Sequence, residues 1–221
     1  MSSSPQVQAF VQSGDPTSTS VPGGQPTPVL SGKNGDLLVS EAHGKWYSAG
    51  YNGKTFIAAN TSAAIPLYGT VTSLTGIILY NPYGSGKNVE LISLLLANAG
   101  NGTMVISSFR WAVYTGIGGG GQALPTLQVS SANIFANPIG AGIANPLAKA
   151  LASCTMAAAA TQWFGSGLTS GLVTSAAGPA ACKIQYDGEV ILAPGTLISL
   201  QGDVAQSNNL NPTVAWAEWP I

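Results

Sequence analysis

The chain has 221 residues, of which seven are basic and eight acidic, giving a formal net charge of −1. Charged residues make up 7% of it, against about 25% in an ordinary soluble domain. There is no cluster of Lys and Arg to displace counterions from DNA or RNA, so nucleic acid is excluded as a partner.

A surface this poor in mixed charge is expected to be covered in large part by other subunits. The length is enough for one β-sandwich with a full core plus appendages. The 28 glycines and 14 prolines punctuate runs of Val, Ile, Thr and aromatic residues, the pattern of many short strands joined by turns.

Residues 1–35 are rich in Ser, Pro, Gly, Thr and Gln and bury too little apolar area to fold alone, so they are predicted to form an extended N-terminal arm. Its apolar anchors are Val7, Phe10, Val11, Val29 and Leu30, the candidate docking residues. The first residues carry neither the basic nor the apolar region of a secretory signal, which predicts synthesis in a cytosol. From Gly35 to Asn60 the text reads as three short strands reversed at Ala42–Gly44 and Asn52–Gly53. Trp46, Tyr47 and Tyr51 cluster there as interface aromatics, or as a platform for stacking on sugar rings.

Ile65–Thr70 and Gly76–Asn81 are further strands. Gly84-Ser85-Gly86-Lys87 resembles a phosphate loop, but Asn88 stands where a Ser or Thr should follow and strand-like sequence replaces the helix, so the segment is a turn. Val89–Ala97 and Met104–Tyr114 flank Asn98–Gly102, a polar loop of hairpin length, and are predicted to form a long antiparallel hairpin at the centre of the fold. Val105, Ser107, Phe109, Trp111 and Val113 fall on one face, predicted to be core. Met104, Ile106, Ser108, Arg110, Ala112 and Tyr114 fall on the other, predicted to meet water or another subunit.

Residues 116–125 read as a flexible glycine loop without dinucleotide-binding spacing. Residues 126–146 read as a strand at Leu127–Ser131 followed by an irregular segment. Leu147–Trp163 fits helix or strand equally. Strands at Ala181–Tyr186, Glu189–Leu192, Thr196–Gln201 and Thr213–Trp219, with turns at Asp187–Gly188 and Pro194–Gly195, complete the pattern.

The fold predicted is all-β, a jelly-roll-like antiparallel sandwich over 36–221, divided into a hairpin extension at 36–70 and a core at 71–221.

Nothing in the sequence assembles chemistry. His43 is the one histidine and lies in a tight turn with no nucleophile elbow elsewhere, so no catalytic residue, metal site or cofactor is assigned. Asp187 and Glu189 flank a turn glycine and read as a solvated turn. A carboxylate-based glycan hydrolase is the weakest reading of the chain. Cys154 and Cys182 are a candidate disulfide pair, but synthesis in a cytosol favours two buried free thiols. The Ala-rich segment at 146–160 is broken by Lys149, Ser153, Cys154 and Thr155 and falls short of a membrane span. The sequons at Asn60 and Asn101 matter only in a secretory pathway.

Three stretches carry a resemblance: Pro194-Gly195-Thr196 leading into the closing Trp216, Glu218 and Pro220, the segment from Gly35 to Asn60, and Leu79–Pro82. Together they resemble small virion proteins of tailed bacteriophages, discontinuously from about residue 35 to the end. The resemblance implies a capsid decoration or cement protein that bridges major capsid protein subunits, not an enzyme, with a jelly-roll-like fold and often trimeric. A homotrimer is expected over a dimer. The virion surface, assembled in the bacterial cytoplasm, is the expected location, with neither membrane nor nucleic acid as partner. A host-receptor or glycan-binding module on a head fibre or tail is the alternative.

Overall fold

The computed structural model describes residues 8–10, 26–28, 45–46, 49–50, 53–60, 72–98, 107–119, 126–127, 132–137, 146–160, 162–170, 181–202 and 210–221. Two compact units are present, Met1–Asn52 and Gly53–Ile221. In the first, β1 (Gln8–Phe10) and β2 (Pro26–Pro28) pair antiparallel, so the predicted arm contains a short ladder. Gly50 N–H donates to the Trp46 carbonyl at 2.8 Å, a helical bond where a strand was predicted.

The second unit is an antiparallel β-sandwich. Its strands are β3 (Thr55–Asn60), β4 (Ser73–Asn81), β5 (Lys87–Asn98), β6 (Ser107–Tyr114), β7 (Thr126–Leu127), β8 (Ala132–Asn137), β9 (Lys149–Thr155), β10 (Gln162–Ser170), β11 (Ala181–Gln185), β12 (Ile191–Leu192), β13 (Thr196–Gly202) and β14 (Leu210–Pro220). Sheet I has the order β10-β6-β13-β4-β9-β7. Sheet II has the order β11-β5-β14-β3-β8, with β12 also on β5. β3, β4, β5 and β6 alternate between the two sheets of the sandwich.

The central hairpin of the sequence reading is therefore corrected. β5 and β6 lie in different sheets, β5 pairing with β14 and β11 and β6 with β13 and β10. Both strands still feed one core, because Leu91 and Leu94 of β5 and Phe109 and Trp111 of β6 face each other across the sandwich. Phe56 and Trp216, with ring centroids 5.8 Å apart, add the aromatic bulk of sheet II.

Sheet I carries a second core on its outer face. Leu74, Ile78, Tyr80, Ala112, Tyr114, Leu151 and Leu197 are covered there by Ile117, Met156 and Ala160. Ala112 and Tyr114, predicted to meet water or a subunit, are buried by this layer, whereas Ser108 and Arg110 are exposed as predicted. A β-bulge at Gly76, φ +102°, shifts the β4–β9 register and lets Leu74 and Ile78 meet Cys154 and Leu151.

Other boundaries move as well. β3 is an interior strand of sheet II between β14 and β8, not part of a hairpin extension at 36–70. Ile117 in the predicted flexible loop is fully buried and donates its N–H to the Gly195 carbonyl at 3.0 Å. The predicted irregular segment contains β8, while the strand before it is limited to Thr126–Leu127 within the described residues. The helix-or-strand segment is strand, as β9. Near the C-terminal end of the chain the turns stand as predicted, Asp187 and Gly188 both at positive φ, although Glu189 and Val190 precede β12 instead of belonging to it. Ile65–Thr70 lies outside the described residues.

Candidate functional site

Three buried polar clusters hold the sandwich together. Asn81, fully buried at the end of β4, donates from Nδ2 to the carbonyls of Lys87 (2.8 Å) and Leu192 (2.9 Å) and accepts from Ser85 Oγ (2.7 Å). Its backbone carbonyl accepts from Gly195 N–H at 2.8 Å. Asn81 thus ties the turn at 82–86 to the turn at 193–195 through its side-chain amide and its backbone carbonyl together, and with them the crossing from sheet I to sheet II.

The carboxylate of Glu218, 1% exposed, accepts from the backbone N–H groups of Leu147 (3.1 Å) and Ala148 (3.0 Å), from Trp216 Nε1 (3.4 Å) and from Lys87 Nζ (3.2 Å). Two of these four bonds hold the residues just before β9 onto β14, one comes from Trp216 of β14 itself and one from Lys87 of β5, so the carboxylate is spent on joining three strands.

Between the sheets, Trp111 Nε1 donates to Tyr186 Oη at 2.8 Å. Tyr186 donates to the Ser166 carbonyl at 3.0 Å, and Ser166 Oγ to the Phe109 carbonyl at 2.6 Å. Burial pushes the Tyr186 hydroxyl up to about 12, the bond from Trp111 opposing it. Burial pushes the Cys154 thiol up to about 11. It also raises the Tyr114 hydroxyl, against a hydrogen bond to the Ala160 backbone. Each shift disfavours the ionised form, the opposite of what an activated nucleophile needs.

Among the described residues no group of three His, Cys, Asp or Glu side chains is placed to hold a metal ion. Nor is any helix there long and apolar enough to cross a membrane. Cys154 is buried and unpaired as expected. Cys182 is unpaired but exposed, which corrects the expectation of two buried thiols: it sits on β11, at the edge of sheet II.

The predicted docking residues are divided. Phe10 lies in β1, and Val7, Val11, Val29 and Leu30 fall outside the described residues. Trp46 is half-buried with the Lys45 amine 5.2 Å from its ring centre, while Tyr47, Tyr51 and His43 lie outside the described residues. Asp187 and Glu189 are exposed on their turn, as read.

The surface that sequence reasoning missed is the outer face of sheet II. Ile57 and Ala59 of β3, Thr213 and Ala215 of β14, and Leu95 and Ala97 of β5 alternate with core residues and are half-buried. None is charged. Lys183 stands at the β11 edge, and Glu90, bound by Trp219 Nε1 at 2.8 Å, near one end. The signal was present in the alternation of Ala and Thr with bulky residues along β14, but partner strands were needed to show that three such rows lie side by side. Tyr83 (63% exposed) and Leu147 (43%) add apolar surface beside the turn at 82–86.

Compared with protein-family models, with curated proteins and with solved structures, the chain finds no match.

Proposed function

We propose that this chain is a structural virion protein of a tailed bacteriophage, which decorates or cements the capsid by bridging major capsid protein subunits. The observation that carries the reading is the middle of the outer face of sheet II, where Ile57, Ala59, Leu95, Ala97, Thr213 and Ala215 lie side by side with no lysine or carboxylate among them, Lys183 and Glu90 standing at its border. A lone soluble domain usually disperses such a face with charge, whereas an assembled subunit buries it. The 7% charge content of the whole chain and the virion-like text at 194–221 support the same reading. The buried polar groups serve the fold: Asn81, Glu218 and Tyr186 spend their hydrogen bonds on neighbouring strands.

Residues 1–35 act in this reading as a docking arm. Ordering such a segment costs about 1–2 kcal/mol per residue in backbone entropy, so a single arm binds weakly and several arms from one oligomer hold together.

The test is decoration itself. Purified full-length chain is incubated with phage shells assembled without it, and the shells are imaged by cryo-electron microscopy. Sandwich-sized density bridging neighbouring shell subunits is expected, and its loss on deleting residues 2–30 would assign attachment to the arm. Bare shells, together with saturable glycan binding that Trp46→Ala abolishes, would replace this reading with the host-binding one.

A further inference from the structure

We infer that the β8 edge of sheet II joins two copies of this chain by antiparallel strand pairing. An edge strand presents a row of outward N–H and C=O groups that can template another strand, and folded proteins block such edges with short strands, bulges, lysines or prolines.

Among the described strands the sandwich has four edges, and three are blocked in this way. β7, at one end of sheet I, has two residues. β10, at the other end, has its ladder to β6 broken between Gly165 and Thr169. β11, at one end of sheet II, has five residues, carries the exposed Lys183, and is cut off from β12 by the positive-φ turn at Asp187–Gly188.

β8 has none of these devices. Its sequence is Ala-Asn-Ile-Phe-Ala-Asn, with no charge, proline or glycine. It pairs with β3 through six consecutive positions, Ala132 to Asn137, without a register shift, and among the described strands it pairs with nothing else in the sheet.

The occupant that fits is a second β8. A two-fold axis normal to the sheet sets the strand antiparallel to its own copy. In any register that axis allows, only Ala, Asn, Ile and Phe positions oppose one another, so no like charges meet. The pairing also makes the outer face at Ile57, Ala59, Thr213 and Ala215 continuous with the same face of the partner, doubling the apolar field without a charged seam. The inference sets a two-fold pair in place of the homotrimer expected from the sequence, and it concerns the isolated protein, so it can fail while decoration succeeds, and the reverse.

Sedimentation velocity of the full chain at micromolar concentration is expected to give a two-copy species. Phe135→Lys, at the register position opposite Ile57, should raise the dissociation constant at least about tenfold and leave the circular dichroism spectrum unchanged. Should that variant fail to fold, hydrogen exchange of the unaltered protein gives the answer, since β8 amides should slow as concentration rises. A monomer at every concentration would overturn the inference, as would an assembly whose mass Phe135→Lys does not change, a trimer included. So would β8 amides that slow only when a synthetic peptide of residues 5–30 is added, because the edge would then belong to the arm.

Discussion

Sheet I is covered by its own chain on one face and over the β4, β9 and β13 part of the other, with Arg110 and Trp163 left exposed at the β10 end, whereas the described residues wrap sheet II on one face. The outer face of sheet I has Ile117, Met156 and Ala160 laid over Ile78, Tyr80, Tyr114 and Leu197. The outer face of sheet II leaves Ile57, Leu95 and Ala215 half-buried. In sequence the two are hard to tell apart, since strands such as Gly76–Tyr80 and Leu91–Ala97 are apolar on both faces. Burial on both faces predicts a cover, but the pattern does not say whether the cover is the same chain or another. Sheet I shows the first solution. Sheet II has the composition of the second.

A matched pair of lysine substitutions separates the two faces most sharply. Ala112→Lys places an unpaired ammonium in the fully buried layer over sheet I and should cost at least about 3 kcal/mol in denaturant unfolding. Ala215→Lys, on the half-buried face of sheet II, should change the stability of the isolated protein by no more than about 0.5 kcal/mol while abolishing shell decoration. Equal costs at the two positions would mean that sheet II is also wrapped by its own chain.

Alkaline titration reads the two cores independently, because Tyr186 lies between the sheets and Cys154 in the outer layer of sheet I. Each group holds its proton more tightly in the folded chain, moving from 10.0 to about 12 for Tyr186 and from 9.0 to about 11 for Cys154. The stabilisation is therefore complete below the lower value of each pair and is lost as pH rises through the upper one. Two units correspond to about 3 kcal/mol for each group. Cys154→Ala should remove the earlier part of the alkaline loss and Tyr186→Phe the later part, as followed by urea midpoints from pH 8 to pH 12. A profile unchanged by either substitution would contradict the assignment.

Asn81→Ala should cost about 2 kcal/mol, since the carbonyls of Lys87 and Leu192 lose their donor and Ser85 its acceptor. Asn81→Asp should be no better, because it keeps the shape but donates to neither carbonyl. The smallest effect is chemical. Cys182 should react with a thiol reagent in the native state and Cys154 only after unfolding. Equal native reactivity would mean that the outer layer of sheet I opens readily.

Local chemistry was legible where it acts locally. Asp187-Gly188 and Pro194-Gly195 announced their turns, and the alternation around Trp111 identified the side of β6 that enters the core. Partner choice was not. Asn98–Gly102 has the polar, glycine-bearing character of a hairpin loop, yet the segment joins strands of different sheets, and a hairpin would bury Leu91 and Trp111 by the same alternation. β8 escaped notice because Asn and Ala dilute its one Ile and one Phe, and its pairing to β3 is a long-range contact that no nearby residue encodes. Glu218 was visible as a carboxylate in an apolar strand. Its role required the start of β9, some seventy positions earlier, where Leu147 and Ala148 supply the amides. Of the interaction residues inferred from sequence, Trp46 alone has a described side chain, and the flat face of sheet II was assembled only by pairing three strands that the sequence lists far apart.

The position of β14 bears on how the chain folds. β14 lies between β5 and β3, pairing along its whole length with β5 and over Thr213–Ala217 with β3, yet it follows them by more than a hundred positions. During synthesis β3 and β5 are complete long before the strand that separates them leaves the ribosome. Until then each has an unpaired edge, and sheet II has no centre. Closing it is a late, long-range event, which favours slow folding and an interval in which neighbouring nascent chains can pair at the wrong edge.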